Sequence, residues 1–309
     1  MQFDNSYLRL EGEAESQKKS FRLELALDLQ GEKLLKINSA AARISELAGL
    51  FPVVSVTPDE ISLIYGSPAV RRRFLDFAAG QHSPAQAQNL SEYQKVLEQR
   101  NQSLRELKRS RGKNSNSAEI WDDQLIRLGS QIILERIKLL DQLSPLAEKE
   151  HAQISGHRER LSLQYTSSFQ FADRAELTER FSSALKQSQS KEEALGFTLV
   201  GPHRDELELK IDSQLIRDFG SFGQARSAML ALKLAQLEHL QERKNEAPLL
   251  ILDEVFSDLD QKRSRYLVQL LDNHKQVFIA TSKEWELPEG LKADSIFMVQ
   301  DGKVLRRET

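Results

Sequence analysis

Four apolar residues that end in two adjacent carboxylates, Leu249-Leu250-Ile251-Leu252-Asp253-Glu254, constrain this chain more than any other feature. Such a run is stable only where water is excluded, so it predicts a buried strand. Open α/β sheets place their ligands at the carboxyl ends of strands, which is where both carboxylates fall. There Asp253 could hold a Mg²⁺ ion, directly or through water. Glu254 could polarise a water against a phosphate, as a general base does. An ordinary strand end fits the same residues, so the neighbouring segments decide.

Upstream, Gly220-Ser221-Phe222-Gly223-Gln224 precedes an apolar-periodic run from Ala228 to Ala235. Ser221 is a fair N-cap, and Gly223 permits a close backbone approach. A helix start of this kind offers free N–H groups and a positive dipole end to an anion. A plain capped core helix fits it too. Downstream come Ser257-Asp258-Leu259-Asp260, a helix from about Gln261 to Leu271 and a strand over Gln276 to Thr281. The order resembles the C-terminal half of ATP-binding-cassette ATPases, whose strand motif is the Walker B. That resemblance implies an α/β, ABC-type P-loop NTPase head with ATP and Mg²⁺ as cofactors. It implies Asp253 as metal ligand and Glu254 as catalytic base. Ser221, Gly223 and Gln224 match the signature that contacts the γ-phosphate of ATP held by a second subunit. Asp260 matches the acidic end of the D-loop. Two departures argue against a transporter motor and point to the DNA-repair branch. Thr281-Ser282 stand where a switch histidine is expected, and the signature is SFGQ, not LSGGQ.

Further segments narrow the resemblance. Leu199-Val200-Gly201-Pro202-His203-Arg204-Asp205-Glu206 resembles a stretch of the RecF family of bacterial recombination mediators. So do Pro58-Asp59, Gly66-Ser67-Pro68, Arg71-Arg72-Arg73-Phe74-Leu75-Asp76 and Tyr93 with Gln99-Arg100-Asn101. They span roughly residues 50 to 285 in the family's order. The resemblance implies a DNA-binding, ATP-dependent protein of gap repair and the SOS response. RecO and RecR proteins would be its partners, and it would form an ATP-dependent homodimer.

No segment of the chain fits the phosphate-cradling loop G-x-x-x-x-G-K-S/T. Of the 14 glycines, Gly112 alone precedes a lysine that is followed by a polar residue, but position 107 is leucine and the setting is polar. The RecF family carries this loop near its N-terminus, after the first strands. Tyr7 to Leu10 and Phe21 to Leu27 alternate as strands that the family places after that loop. The simplest expectation is a head incomplete at its N-terminus; a paralogue without its own nucleotide site is the alternative. A lost central strand and helix would expose apolar faces at about 25 cal/mol per Å².

Composition bounds the remaining choices. The 309 residues are 39% hydrophobic and 29% charged, enough for one or two globular domains with charged helices. No run approaches the roughly 18 apolar residues of a membrane span, and no signal-peptide core opens the chain. The absence of cysteine excludes disulfides and thiol catalysis and is compatible with the cytoplasm, where the chain is expected. The six histidines lack metal-ligand spacing. A net charge of −3 does not announce nucleic acid, so DNA contacts must come from local patches. Arg71, Arg72 and Arg73 form one candidate patch. Arg109 and Arg111, with Arg105, Lys108 and Lys113, form another. Each patch also reads as a solvated helix face.

Residues 1–66 read as strands with a helix at about Ala40 to Leu47, and they pair with 157–309 to make the head. Residues 67–156 read as an inserted helical lobe. Leu90, Leu97 and Leu104, then Leu125, Ile132, Leu139 and Leu146, recur every seven residues. They predict two antiparallel helices with the polar stretch Ser110 to Ser117 at their tip. Asp301-Gly302 predicts a tight hairpin near the C-terminus. The favoured function is a RecF-like, ATP-dependent DNA-binding protein. A non-enzymatic DNA or protein adaptor is the alternative, and a long-coiled-coil chromosome ATPase fits less well.

Overall fold

The computed structural model describes residues 7–307 apart from 17, 18, 43–45, 48, 49, 111–117, 245–247, 273, 275 and 284–286. The chain opens with an antiparallel sheet in the order β1 (Tyr7–Ser16), β2 (Lys19–Asp28), β3 (Lys33–Ile37) and β4 (Ala40–Ala42). Ala40 to Ala42 pair with β3 where the alanines suggest helix. The reason lies at Asn38 and Ser39, with φ of 51° and 69°. Two left-handed residues make a two-residue hairpin turn, and that turn overrides the weak helix preference of alanine.

A second sheet carries the carboxylate motif. Its order is β10 (Val277–Ala280), β9 (Leu249–Asp253), β5 (Val53–Val56), all parallel. Leu250 and Leu252 on β9 and Val54 and Val56 on β5 are buried on one face. The opposite face is less covered: Ile251 is half-buried and Phe278 exposed.

Helices fill the middle of the chain. They are α1 (Pro68–His82), α2 (Pro84–Arg109), α3 (Asp122–Ser155) and α4 (Leu177–Leu195). Arg111 and Lys113 of the polar tip lie outside the described residues. A third sheet, β6 (Leu161–Thr166), β7 (Glu206–Ile211) and β8 (Gln214–Leu215), is antiparallel. The signature opens α5 (Phe222–Lys244), and α6 (Gln261–Leu271) follows β9. The hairpin β11 (Ile296–Gln300) and β12 (Lys303–Arg307) turns through Asp301 and Gly302, both with positive φ, as the sequence predicts.

Helix α5 is buried on nearly all sides from Ser227 to Leu240, the pattern of a helix enclosed in a core. Ala225, Ala228, Leu230, Leu232, Ala235 and Leu237 are all buried. One hydrophobic cluster joins α5 to β5, β9, α1 and the later half of α3, including Leu139, Leu143 and Ile154. A second cluster packs Tyr93, Leu125 and Ile132 against Phe181 and Leu185 of α4. Helix α4 thus contributes to the core of the helical lobe.

Buried arginines tie these layers together. Arg71 is 2% exposed. Its guanidinium makes two 2.8 Å bonds to the Glu206 carboxylate and donates to the carbonyls of Leu63, Ile64 and Gly66. This corrects the expectation that Arg71 contacts DNA, because its donors are spent inside the head. Arg136 grips Asp76 and the Pro202 carbonyl, at 2.8 Å and 2.7 Å. Arg100 grips Asp122 and the fully buried Glu192, at 2.8 Å and 2.7 Å. Removing one partner of a buried pair leaves a charge uncompensated. Arg71→Ala should therefore cost about 3–5 kcal/mol in urea unfolding. The exposed Arg73→Ala should change stability by less than about 0.5 kcal/mol. Equal effects of the two would refute this division of roles.

Candidate functional site

Strand β9 delivers its carboxylates to the end of the parallel sheet. Asp253 is its last residue, opposite Ala280 of β10. Glu254 turns out of the strand with φ of 51°, an uncommon conformation for a side-chain-bearing residue. Its N–H donates to the Ala280 carbonyl at 2.9 Å. Its carboxylate accepts from the Ser282 N–H at 2.6 Å and from the Thr281 hydroxyl at 3.3 Å. The hydrogen bonds from Ser282 hold the Glu254 carboxyl below its usual pKa. Thr281 and Ser282, which replace the expected histidine, therefore anchor Glu254 in its ionised form.

The SFGQ segment forms a reciprocal helix cap. The Ser221 hydroxyl accepts from the Gln224 N–H at 3.2 Å, and the Gln224 side-chain oxygen accepts from the Ser221 N–H at 2.8 Å. Serine and glutamine at this spacing make a capping box. The N–H groups of Phe222 and Gly223 make no hydrogen bond to a described residue, and they lie at the positive end of α5. Asp260 caps α6 by accepting from the Arg263 N–H at 3.0 Å. A Cβ placed on Gly223 would lie 3.8 Å from an Arg263 guanidinium nitrogen, so the signature and the D-loop helix are neighbours. No direct contact among described residues joins Ser221 to Asp253 or Glu254.

Three participants escape a reading by motif. Glu159 accepts from the Gln224 side-chain amide at 3.0 Å, just beyond the end of α3. Phe222 stacks on Tyr65 with ring centres 6.4 Å apart, and the Arg226 guanidinium lies 4.2 Å above the Phe222 ring. The available signal was Phe219 and Phe222 on either side of Ser221. Both are exposed, at 73% and 54%.

The segment Gly201 to Glu206 is a structural hub. Gly201 has φ of 124°, and a Cβ there would meet the Tyr93 hydroxyl at 2.7 Å. His203 bonds Tyr93 at 2.8 Å and the Thr198 carbonyl at 3.2 Å. Asp205 takes the Tyr165 hydroxyl at 2.5 Å and the Ser168 N–H at 2.7 Å. Its main-chain carbonyl accepts from Arg72 at 2.9 Å. Arg72 thus spends one donor within the fold. Arg73 and Arg109 are exposed, whereas Arg111 lies outside the described residues.

The residues present fit one part of a magnesium–nucleotide site. Asp253 offers a carboxylate to a cation, and the start of α5 offers backbone donors to an anion. A glycine-rich loop between a strand and a helix, which would hold phosphates in cis, is not found among the described residues.

A parallel sheet ending in paired carboxylates, with a capped signature helix and an inserted helical lobe, defines the head of an ABC-type ATPase of the chromosome-maintenance kind. The chain belongs to the RecF branch of that class. The RecF/RecN/SMC N-terminal domain model matches residues 2–304. The DNA replication and repair protein RecF of Halothermothrix orenii is 36% identical over 298 residues, covering 94% of this chain and 79% of the relative. RecF of Bacillus subtilis (strain 168) is 31% identical over 310 residues, covering 99% and 84%. The solved recombination mediator RecF with ATP, of the RecFOR pathway, superposes with a TM-score of 0.87 at 30% identity, covering 99% of this chain and 81% of that one. A Pyrococcus furiosus Smc head, at 17% identity and a TM-score of 0.52, shares the fold. This is a RecF-like DNA replication and repair protein, and its solved relative holds ATP.

His203 gives the hub a pH dependence. Burial pushes its imidazole down to about 4 from 6.5. The folded state therefore favours neutral histidine. The stability this contributes is present above pH 6.5 and lost as pH falls toward 4. The loss should be on the order of 2 kcal/mol, allowing for partial exposure of the ring. His203→Gln should flatten that part of a denaturant-midpoint profile; an unaltered slope would assign the acid sensitivity to other groups.

Proposed function

We propose that this chain is a cytoplasmic, ATP-dependent DNA-binding protein of replication, recombinational gap repair and the SOS response. It dimerises through nucleotide and works with RecO-type and RecR-type proteins. The observation that carries this reading is the capping box of Ser221 and Gln224, which leaves the Phe222 and Gly223 N–H groups unpartnered beside the helix capped by Asp260. These groups suit an anion presented by a second head. When bound, Mg-ATP supplies a divalent cation and a terminal phosphate charge between two heads. Asp253 would hold the cation as a ligand. Glu254, held ionised by Ser282, can accept a proton from water. Ser221 and Gln224 keep the first turn of α5 in place, and Asp260 does the same for α6.

The test uses the solved recombination mediator RecF that holds ATP as the nucleotide-holding partner. With Mg-ATP, light scattering of an equimolar mixture should show a complex that Ser221→Arg abolishes, because the longer cation fills the anion position. A complex of equal strength with Ser221→Arg would reduce SFGQ to a structural cap. No nucleotide-dependent complex, together with retained DNA binding, would favour the adaptor.

DNA contact carries its own expectation. Phosphate neutralisation releases counterions, so affinity should fall linearly with salt on logarithmic axes. Among the candidate arginines, Arg73 and Arg109 are exposed, and Arg73→Ala and Arg109→Ala should each lower the slope by about 0.9 if they touch duplex phosphate. Fluorescence anisotropy with labelled duplex DNA measures it. Unchanged slopes in both variants would remove these residues from the DNA surface.

A further inference from the structure

A groove of about 490 Å³ runs between α1 and α2. One wall carries Ala69, Arg73, Phe77 and Gly80 of α1, and the other carries Ala87, Leu90, Gln94 and Leu97 of α2. Both sets follow the three-and-four spacing of one helix face. The α2 wall is about 15 Å long, or three helical turns. Ile132 and Arg136 of α3, with Pro202 and His203, complete the lining.

Two observations show that this groove is incompletely satisfied. Leu90 and Leu97 belong to the seven-residue leucine pattern, yet both remain half-buried, whereas Leu104 one heptad later is 1% exposed. Phe77, on the facing wall, is 45% exposed. The charges are also unbalanced. Asp76 is neutralised by Arg136 through bonds of 2.8 Å and 2.9 Å. Arg72 gives one donor to the Asp205 carbonyl and lies near the Asp76, Asp205 and Glu206 carboxylates, whereas the exposed Arg73 pairs with no described residue. The lining therefore combines apolar side chains with Arg73, which has no described partner, and with Arg72, which has those three carboxylates near it.

We propose that this groove docks an acidic amphipathic helix of a partner protein. Apolar side chains at i, i+3 or i+4, and i+7 match a groove of this length. A carboxylate on the rim of such a helix would meet Arg73, which supplies orientation and faster encounter. Single-stranded nucleic acid fits less well. Its bases have polar edges, and the aliphatic surfaces of Leu90 and Leu97 would leave them unsatisfied. The exposed Phe77 is one ring, not a run of stacking platforms. This docking does not depend on the nucleotide reading; it shares Arg73 with the DNA reading, so duplex DNA that engages Arg73 would compete with the peptide.

The probe is a fluorescein-labelled peptide of about four helical turns, with leucine at every third or fourth position and glutamate elsewhere. Anisotropy with the full chain should give saturable binding in the micromolar range. Arg73→Glu and Phe77→Ala should each weaken it at least tenfold. Arg127→Glu, an exposed charge on α3 away from the groove, should not. Thermal melting of each variant checks that the fold is retained. Absence of saturable binding overturns the proposal, as does equal weakening by Arg127→Glu, which would mean diffuse charge attraction. Oligothymidine that binds instead and loses affinity with Arg73→Glu would assign the groove to nucleic acid and also overturn it.

Discussion

The guanidiniums of Arg71 and Arg136 tie the helical lobe to the head, and that of Arg100 ties α2 to α3 and α4. Each sits on a different lobe helix, and each is nearly inaccessible to water. A buried charge has to find an opposite charge and satisfy its remaining donors, or the fold loses several kcal/mol. The partners lie far along the chain. Arg71 reaches Glu206, 135 residues away, and Arg100 reaches Glu192, 92 residues away. Such pairs add little net stability over a well-packed apolar contact. Their value is geometric, because a guanidinium with three to five placed acceptors admits few alternative packings.

That fixed geometry extends toward the signature. The later half of α3 lies in the same hydrophobic cluster as α5. Just beyond its end, Glu159 holds the Gln224 amide, and Gln224 in turn caps Ser221. Movement of α3 would therefore reach the capping box through one side-chain contact. His151, fully buried near the end of α3, sits with its Nε2 3.7 Å from Glu159. Burial lowers its pKa, against the pull of Glu159. A neutral imidazole there leaves the Glu159 carboxylate available to Gln224.

Much of the fold was legible because it rests on short-range chemistry. The run Leu249 to Asp253 is the central parallel strand, and Asp301-Gly302 is the expected hairpin turn. Asn38-Ser39 and Asp212-Ser213 make turns of the same kind, with both residues at positive φ. They lack the glycine that announces such a turn, so the sequence conceals them. The three arginines at 71 to 73 look alike as a string. Helix α1 sends the first into the core and the third into solvent. Consecutive residues on a helix point about 100° apart, so a charge run cannot reveal which member is buried without knowing what packs on the helix. The Gly201 to Glu206 segment stood out as a family pattern, but its role depends on Tyr93, Tyr165 and Arg136 from distant parts of the chain.

The signature shows how one motif can satisfy structure and still leave chemistry available. The Ser221 hydroxyl and the Gln224 oxygen satisfy each other's backbone N–H, so the cap is closed without a ligand. The next two N–H groups, on Phe222 and Gly223, are the donors left at the helix start. Glycine at 223 keeps the backbone open on the side toward Arg263. The local field is mixed: the dipole of α5, Arg226 and Arg263 are positive, whereas Glu159 and Asp260 are negative. An anion arriving from solvent would meet the backbone donors first, because the carboxylates are already engaged, one with Gln224 and the other with the Arg263 N–H. The cap therefore preorganises the donors, and Glu159 preorganises the cap.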